Sequence, residues 1–176
     1  MSEHHTTLTE PVRDLPGRPV TLWLDTTPET DYPALDRDLK VDTLVVGGGI
    51  AGLTTALMLQ QAGMTTAVID FRRIVSGVTG HTTAKITSLH GIVYQTLITH
   101  FGREGAGLYA EANQTAIEKT AALVEKEGID CEFSRASAYT YAVTDSQARR
   151  IEEEVKAAES IGLPVFYVQE TSLPFP

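Results

Sequence analysis

An α/β fold with a parallel βαβ unit near its N-terminal end is predicted by three observations. The stretch between Asp42 and Asp70 contains no charged residue. Within it, Gly47-Gly48-Gly49-Ile50-Ala51-Gly52 reads G-x-G-x-x-G, set between the β-branched run Val41–Val46 and the apolar run Leu53–Leu59. A second apolar run, Ala67-Val68-Ile69, follows Gly63 and stops on Asp70. Strand, glycine turn, helix, strand and terminal carboxylate, in that order, spell a Rossmann-like dinucleotide-binding unit.

Residues 1–40 read as an N-terminal arm, because Pro11, Pro16, Pro19, Pro28 and Pro33 preclude long helices. Trp23, between Leu22 and Leu24, is expected to pin this arm onto the domain, since an indole is costly to leave in water. In the βαβ unit, Gly47 lets the chain turn sharply out of the first strand. Gly49 has no side chain, so a pyrophosphate can approach the backbone N–H groups of Ile50 and Ala51 at the helix N-terminus. Gly52 lets the helix lie close on the strands, and Asp70 is placed to accept from ribose hydroxyls. The rival reading of this uncharged stretch is a transmembrane helix. Three consecutive glycines, Gln60-Gln61 and the threonines at 54, 55, 65 and 66 count against it, and no Lys/Arg cluster flanks it.

Residues 71–90, rich in Gly, Thr and Ser, read as loop with a short helix. Arg103–Glu127 is predicted as a long helix burying Tyr109, Ala112, Ala116, Ile117, Thr120 and Val124, and ended by Gly128. Asp130–Phe133 and Ser137–Val143 read as two strands joined by a tight turn near Ser134-Arg135. Thr144 and Gln147 have capping-box spacing and open a helix that buries Ala148, Ile151, Val155 and Ala158. The charged run Arg149–Lys156 reads as its solvated face. Gly162 ends that helix, and Pro164–Val168 reads as a further strand. Two parallel strands make a poor sheet alone, and Leu173-Pro174-Phe175-Pro176 reads as a connector. The expectation is therefore the N-terminal part of a larger enzyme, an incomplete fold whose site is finished by a C-terminal portion or by another chain.

A formal net charge of −9 disfavours nucleic acid and anionic membrane as partners. Met1–Asp14 is polar and offers no signal-peptide core, so no membrane span and a cytoplasmic location are expected. Cys131 stands alone, which removes a disulfide framework or a cysteine metal cluster and fits a reducing compartment. None of the histidines at 4, 5, 81, 90 and 100 forms H-x-x-x-H or H-E-x-x-H, so no metal site is expected, and His4 and His5 read as solvated tail. No catalytic acid–base pair is visible.

From Asp42 to Lys85 the sequence resembles FAD-dependent oxidoreductases of the D-amino-acid oxidase/glycine oxidase group. The arm Trp23-Leu24-Asp25-Thr26-Thr27-Pro28 and the stretch Gly77-Val78-Thr79-Gly80-His81-Thr82-Thr83-Ala84-Lys85 look like its branch with a C-terminal Rieske iron–sulfur domain. The resemblance implies FAD as cofactor and an amine or amino acid as substrate, oxidised at a C–N bond. It implies that the loop after the second strand touches the pyrophosphate and the isoalloxazine edge. The candidate cofactor contacts are then Gly47, Gly49, Ile50, Ala51, Gly52, Asp70, Phe71, Arg72, Thr79, Gly80, His81, Thr82 and Thr83. Small hydroxyl residues suit that loop because they donate to phosphate and flavin without crowding them. By the same resemblance, 41–103 is the cofactor unit and 104–176 the start of an α+β substrate domain.

The chain departs from the group in places. Asp70 stands where many FAD binders have Glu, and Arg72 and Arg73 are open to stacking on adenine, pairing with acidic groups or holding a 2′-phosphate. Ser76–His81 resembles the loop of sarcosine and dimethylglycine dehydrogenases, whose matching histidine is bonded to the flavin 8α-carbon; here Gly80 replaces the bulky aromatic before it. A histidine that only hydrogen-bonds the cofactor or the loop is the competing reading. At the level of function, an NAD(P)-binding domain and a non-catalytic nucleotide-binding remnant stand as alternatives to the flavin enzyme.

Overall fold

The computed structural model describes residues 17–171. Pro11, Pro16, His4, His5, the polar Met1–Asp14 stretch and the closing Leu173–Pro176 segment lie outside them. The chain divides after Ala84 into two compact units.

The first unit holds the βαβ motif. A short helix in the arm, α1 (Leu22–Thr26), is capped by Thr21, and Arg18 pairs with Asp25. β1 (Thr43–Val46), α2 (Ile50–Gln61) and β2 (Thr66–Ile69) follow, and the strands pair in parallel from Thr43↔Thr66 to Val46↔Ile69. Register is clasped at one end by Asp42. Its Oδ2 accepts from the Thr65 N–H at 2.9 Å and hydroxyl at 2.6 Å, while its own N–H donates to Thr65 Oγ1 at 3.0 Å. Those bonds, the hydroxyl's foremost, hold the Asp42 carboxyl below the usual carboxylate range. At the other end the Gly47 N–H donates to Ile69 O at 2.8 Å. With 12 residues α2 is far too short to cross a bilayer. No helix among the described residues is long and apolar enough to do so.

The second unit is helical. α3 (Tyr94–Glu127) is broken at Gly102, whose φ of 69° and ψ of 176° belong to a region open essentially to glycine alone. The helix expected from Arg103 is thus preceded by a further helical stretch from Tyr94. It ends at Gly128, left-handed at φ 60°. Its buried stripe corrects the expected one in part: Tyr109, Ile117, Thr120 and Val124 are half-buried, but Ala112 and Ala116 are exposed, and Ala106 and Ala110 are buried in their place. α4 (Asp145–Glu159) opens on Thr144, whose hydroxyl accepts from the Gln147 N–H at 3.3 Å, and Gln147 Oε1 accepts from the Val143 N–H at 3.0 Å.

Tyr94, Ala110, Ala158 and Leu163 form the core of this unit. The Tyr94 ring meets Tyr109 edge-on at 6.1 Å, and its hydroxyl, pushed up in pKa by burial, donates to Ser88 O. Glu154, expected on the solvated face, is buried: Oε1 accepts from the Val93 and Tyr94 N–H groups at 2.6 Å each, and Oε2 from that of Gln95 at 2.9 Å. Val93 supplies no side-chain cap, so a carboxylate from α4 satisfies the first N–H groups of α3.

The three strands expected after Gly128 do not form. Asp130–Phe133, Ser137–Val143 and Pro164–Val168 carry no ladder, and the tight turn near Ser134-Arg135 joins no hairpin. A strand requires a neighbour for its N–H and C=O groups, and the described residues supply none. Tyr141, Val143 and Phe166 accordingly stay exposed. Arg135 grips Glu118 of α3 with two bonds of 2.8 and 2.6 Å instead.

Candidate functional site

Three separated stretches of the first unit converge on the glycine turn. Gly47, at φ 115°, takes the chain out of β1 in a conformation L side chains rarely adopt. A Cβ on Gly52 would lie 1.9 Å from Gly47 O, so glycine is required for α2 to start this close to the turn. Gly48 has the same kind of need, which the motif alone does not signal: its Cβ would lie 2.5 Å from Ile74 Cγ2.

Asp70 closes onto the turn from the end of β2. Its Oδ1 accepts from the Arg72 N–H at 2.8 Å and its Oδ2 from the Gly48 N–H at 2.7 Å. The Arg72 and Gly48 amides, in that order, hold the carboxyl below its usual range, so it is ionised at neutral pH. Each oxygen retains further acceptor capacity.

The loop after β2 returns to the same place. The Val75 N–H donates to Gly48 O at 2.9 Å, and a 3-10 turn over Val78–His81 brings Thr79 Oγ1 to the Ile50 N–H at 3.0 Å. Gly49, the N-cap of α2, offers no side-chain cap, and a Cβ on it would meet only that hydroxyl, at 3.2 Å. At the N-terminus of α2, Thr79 thus takes the Ile50 N–H, and the following first-turn N–H groups, which have no carbonyl partner within the helix, make with the Thr79 hydroxyl a cradle suited to phosphate.

Among the other candidates, Gly80 is buried and His81 Nδ1 lies 2.8 Å from Gly77 O. A carbonyl only accepts, so Nδ1 carries the proton. Thr82 Oγ1 accepts from the Ala84 N–H at 3.2 Å. Phe71 is 97% exposed, and Arg72 and Thr83 are exposed as well. Arg73 pairs with Glu29 of the arm, one of its three open roles. Among the described residues no cluster of His, Cys, Asp or Glu is arranged to hold a metal ion.

Residues 42–173 match the family described as FAD dependent oxidoreductase. The chain belongs to this family. Its cofactor is FAD, which decides between the flavin and NAD(P) readings of the glycine motif. The chain is 36% identical over 156 residues to a Bacillus subtilis (strain 168) protein named as a Rieske 2Fe-2S iron-sulfur protein, YhfW; the match covers 89% of this chain and 31% of that protein. It is 25% identical over 131 residues to gamma-glutamylputrescine oxidoreductase of Escherichia coli (strain K12), covering 74% of this chain and 30% of that enzyme. The chain thus spans about a third of the length of these curated relatives. No solved structure matches it significantly. The residues at the turn fit FAD through the first-turn N–H groups of α2 and the closeness that Gly52 permits.

Proposed function

We propose that the glycine turn, Asp70 and the Thr79 loop hold the adenosine–pyrophosphate part of FAD, in an enzyme that oxidises C–N bonds of amines or amino acids. The observation that carries this reading is the meeting of Gly48, Ile50, Asp70 and Thr79 at one helix N-terminus. First-turn N–H groups of α2, at Ala51 and Gly52, face the pyrophosphate. Thr79 accepts from Ile50 and still has its own proton to donate to a phosphate oxygen. Asp70, anchored by backbone on both oxygens, offers its remaining lone pairs to ribose hydroxyls. We assign the exposed Phe71, Arg72, Thr82 and Thr83 to the approach on the loop side, whereas Gly80, being buried, belongs to the interior of the loop. Bound FAD supplies the acceptor for the electron pair taken from the C–N bond, and the protein positions it and excludes side reactions.

A relative named for gamma-glutamylputrescine, which is an amine, supports that substrate class. The stretch 104–176 begins a substrate domain by family analogy, further segments or another chain complete the site, and a cytoplasmic setting fits the single cysteine. For His81 we assign a non-covalent contact, since Gly80 stands where the loop with a flavin-bonded histidine has a bulky aromatic; the Nδ1 bond to Gly77 O leaves Nε2 free and does not decide the question. The His81 peptide of denatured yellow protein should have its unmodified mass; a flavin adduct there refutes the assignment.

The direct test is a FAD titration of Gly49→Val. The branched side chain fills the phosphate space and displaces Thr79 Oγ1, so affinity should fall by more than about tenfold, roughly 1.4 kcal/mol. Unchanged affinity would remove the glycine turn from the site.

A further inference from the structure

We propose that the N-terminal arm is a strap that fixes the cofactor loop, with Thr21 and Trp23 as positioning residues for the FAD site; this rests on the assignment of the Thr79–Thr83 loop to FAD. The arm precedes the region that matches the family, which begins at residue 42. It nevertheless reaches the centre of the loop. Thr21 Oγ1 donates to Gly80 O at 2.5 Å, and Trp23 Nε1 donates to Thr82 O at 2.6 Å. These two carbonyls flank His81, so the backbone is held on both sides of that residue. Leu24 presses on the loop between them: a Cβ on Gly80 would lie 3.0 Å from Leu24 Cδ2 and 2.4 Å from Val75 O. The Thr21 hydroxyl also caps α1 by accepting from the Leu24 N–H at 3.4 Å, which couples the arm's own helix to the loop.

The loop has reason to need an external hold. Between Asp70 and Ala84 it contains no strand and only a one-turn 3-10 helix. Val75 sits at φ 54°, a left-handed conformation that a β-branched residue strongly disfavours. That strain persists because both ends are fixed: Val75 N–H on Gly48 O on one side, and the arm on Gly80 and Thr82 on the other. The consequence is preorganisation. With the loop already in place, Thr79 stands at the Ile50 N–H before FAD arrives, and less ordering remains to be done on binding.

Hydrogen exchange of the cofactor-free protein reads the strap directly, and FAD release from the holoprotein reads its service to the site. Trp23→Phe keeps an aromatic ring and deletes the N–H donor. Thr21→Val deletes the hydroxyl, whereas Thr21→Ser retains it. Amide exchange over residues 77–84 should accelerate in Trp23→Phe and Thr21→Val, stay unchanged over β1 and α2, and return to wild type in Thr21→Ser. FAD release should quicken by about threefold to tenfold in the two deleting variants, the worth of one hydrogen bond. Unchanged exchange over 77–84 in Trp23→Phe overturns the strap. Faster exchange with unchanged FAD release overturns the positioning role. Wild-type protein that takes up no FAD is a separate failure, which removes the site assignment and this inference with it.

Discussion

Asp70 ties the end of β2 to the glycine turn by giving one carboxylate oxygen to Gly48 and the other to Arg72. Its carboxyl titrates below the usual value of about 4. The sign follows: the contribution is fully present above the unfolded value and fades as pH falls through the lowered, folded one. Asp70→Asn keeps the shape but exchanges one acceptor oxygen for an NH2 donor, so it can accept from only one of the two amides. Urea midpoints at pH 7 should place the variant below wild type, and the gap should narrow below about pH 4. A gap that stays constant down to pH 2 would show that ionisation of Asp70 contributes nothing. At this scale the sequence marks Gly47, Gly49, Gly52 and Asp70 through their spacing. It is silent on Gly48, because the need for glycine there arises from Ile74, which only folding brings near.

Between elements, the same α4 that was readable by its cap and apolar stripe carries its most consequential residue within a charged run. Glu154 lies three residues after Ile151 and four before Ala158, hence on the buried side. That spacing was the available signal. A carboxylate there is tolerated because three N–H groups of α3 meet it. Glu154→Ala should cost about 2–3 kcal/mol, since bonds to a charged group are worth more than neutral ones and the donors left behind are partly buried. Glu154→Gln should cost less, because one oxygen still accepts. Chemical denaturation of both variants checks the order; equal stability of Glu154→Ala and wild type would show that the cap contributes nothing to stability. The three strands that failed to appear illustrate the opposite limit. Alternation in Ser137–Val143 describes a segment fit to join a sheet, but pairing is a property of two segments, and sequence pattern reports only one.

At the scale of the molecule, the described residues leave much apolar surface in water. On β1, Leu44 and Val46 are 52% and 77% exposed, and in a two-stranded sheet both strands are edges. Such a surface is a template for further pairing. The 176-residue chain on its own should therefore associate at micromolar concentration and hold FAD weakly. Light scattering coupled to gel filtration measures both when absorbance of flavin is followed. A monodisperse monomer with stoichiometric FAD would refute this expectation. The family was legible from a short segment because Gly47–Gly52 and Asp70 are fixed by the shape of a nucleotide, whereas the helical unit is fixed by packing that many sequences satisfy.

Trp23 is the only tryptophan of the chain, and its indole N–H rests on the cofactor loop. The protein therefore carries its own optical probe at the contact between the arm and the loop after β2. Its emission reports one environment without labelling, and an isoalloxazine ring bound at the proposed site would absorb at the wavelengths it emits. Loop release should shift the colour of that emission, and flavin arrival should dim it, so the two events can be timed separately in a single cuvette.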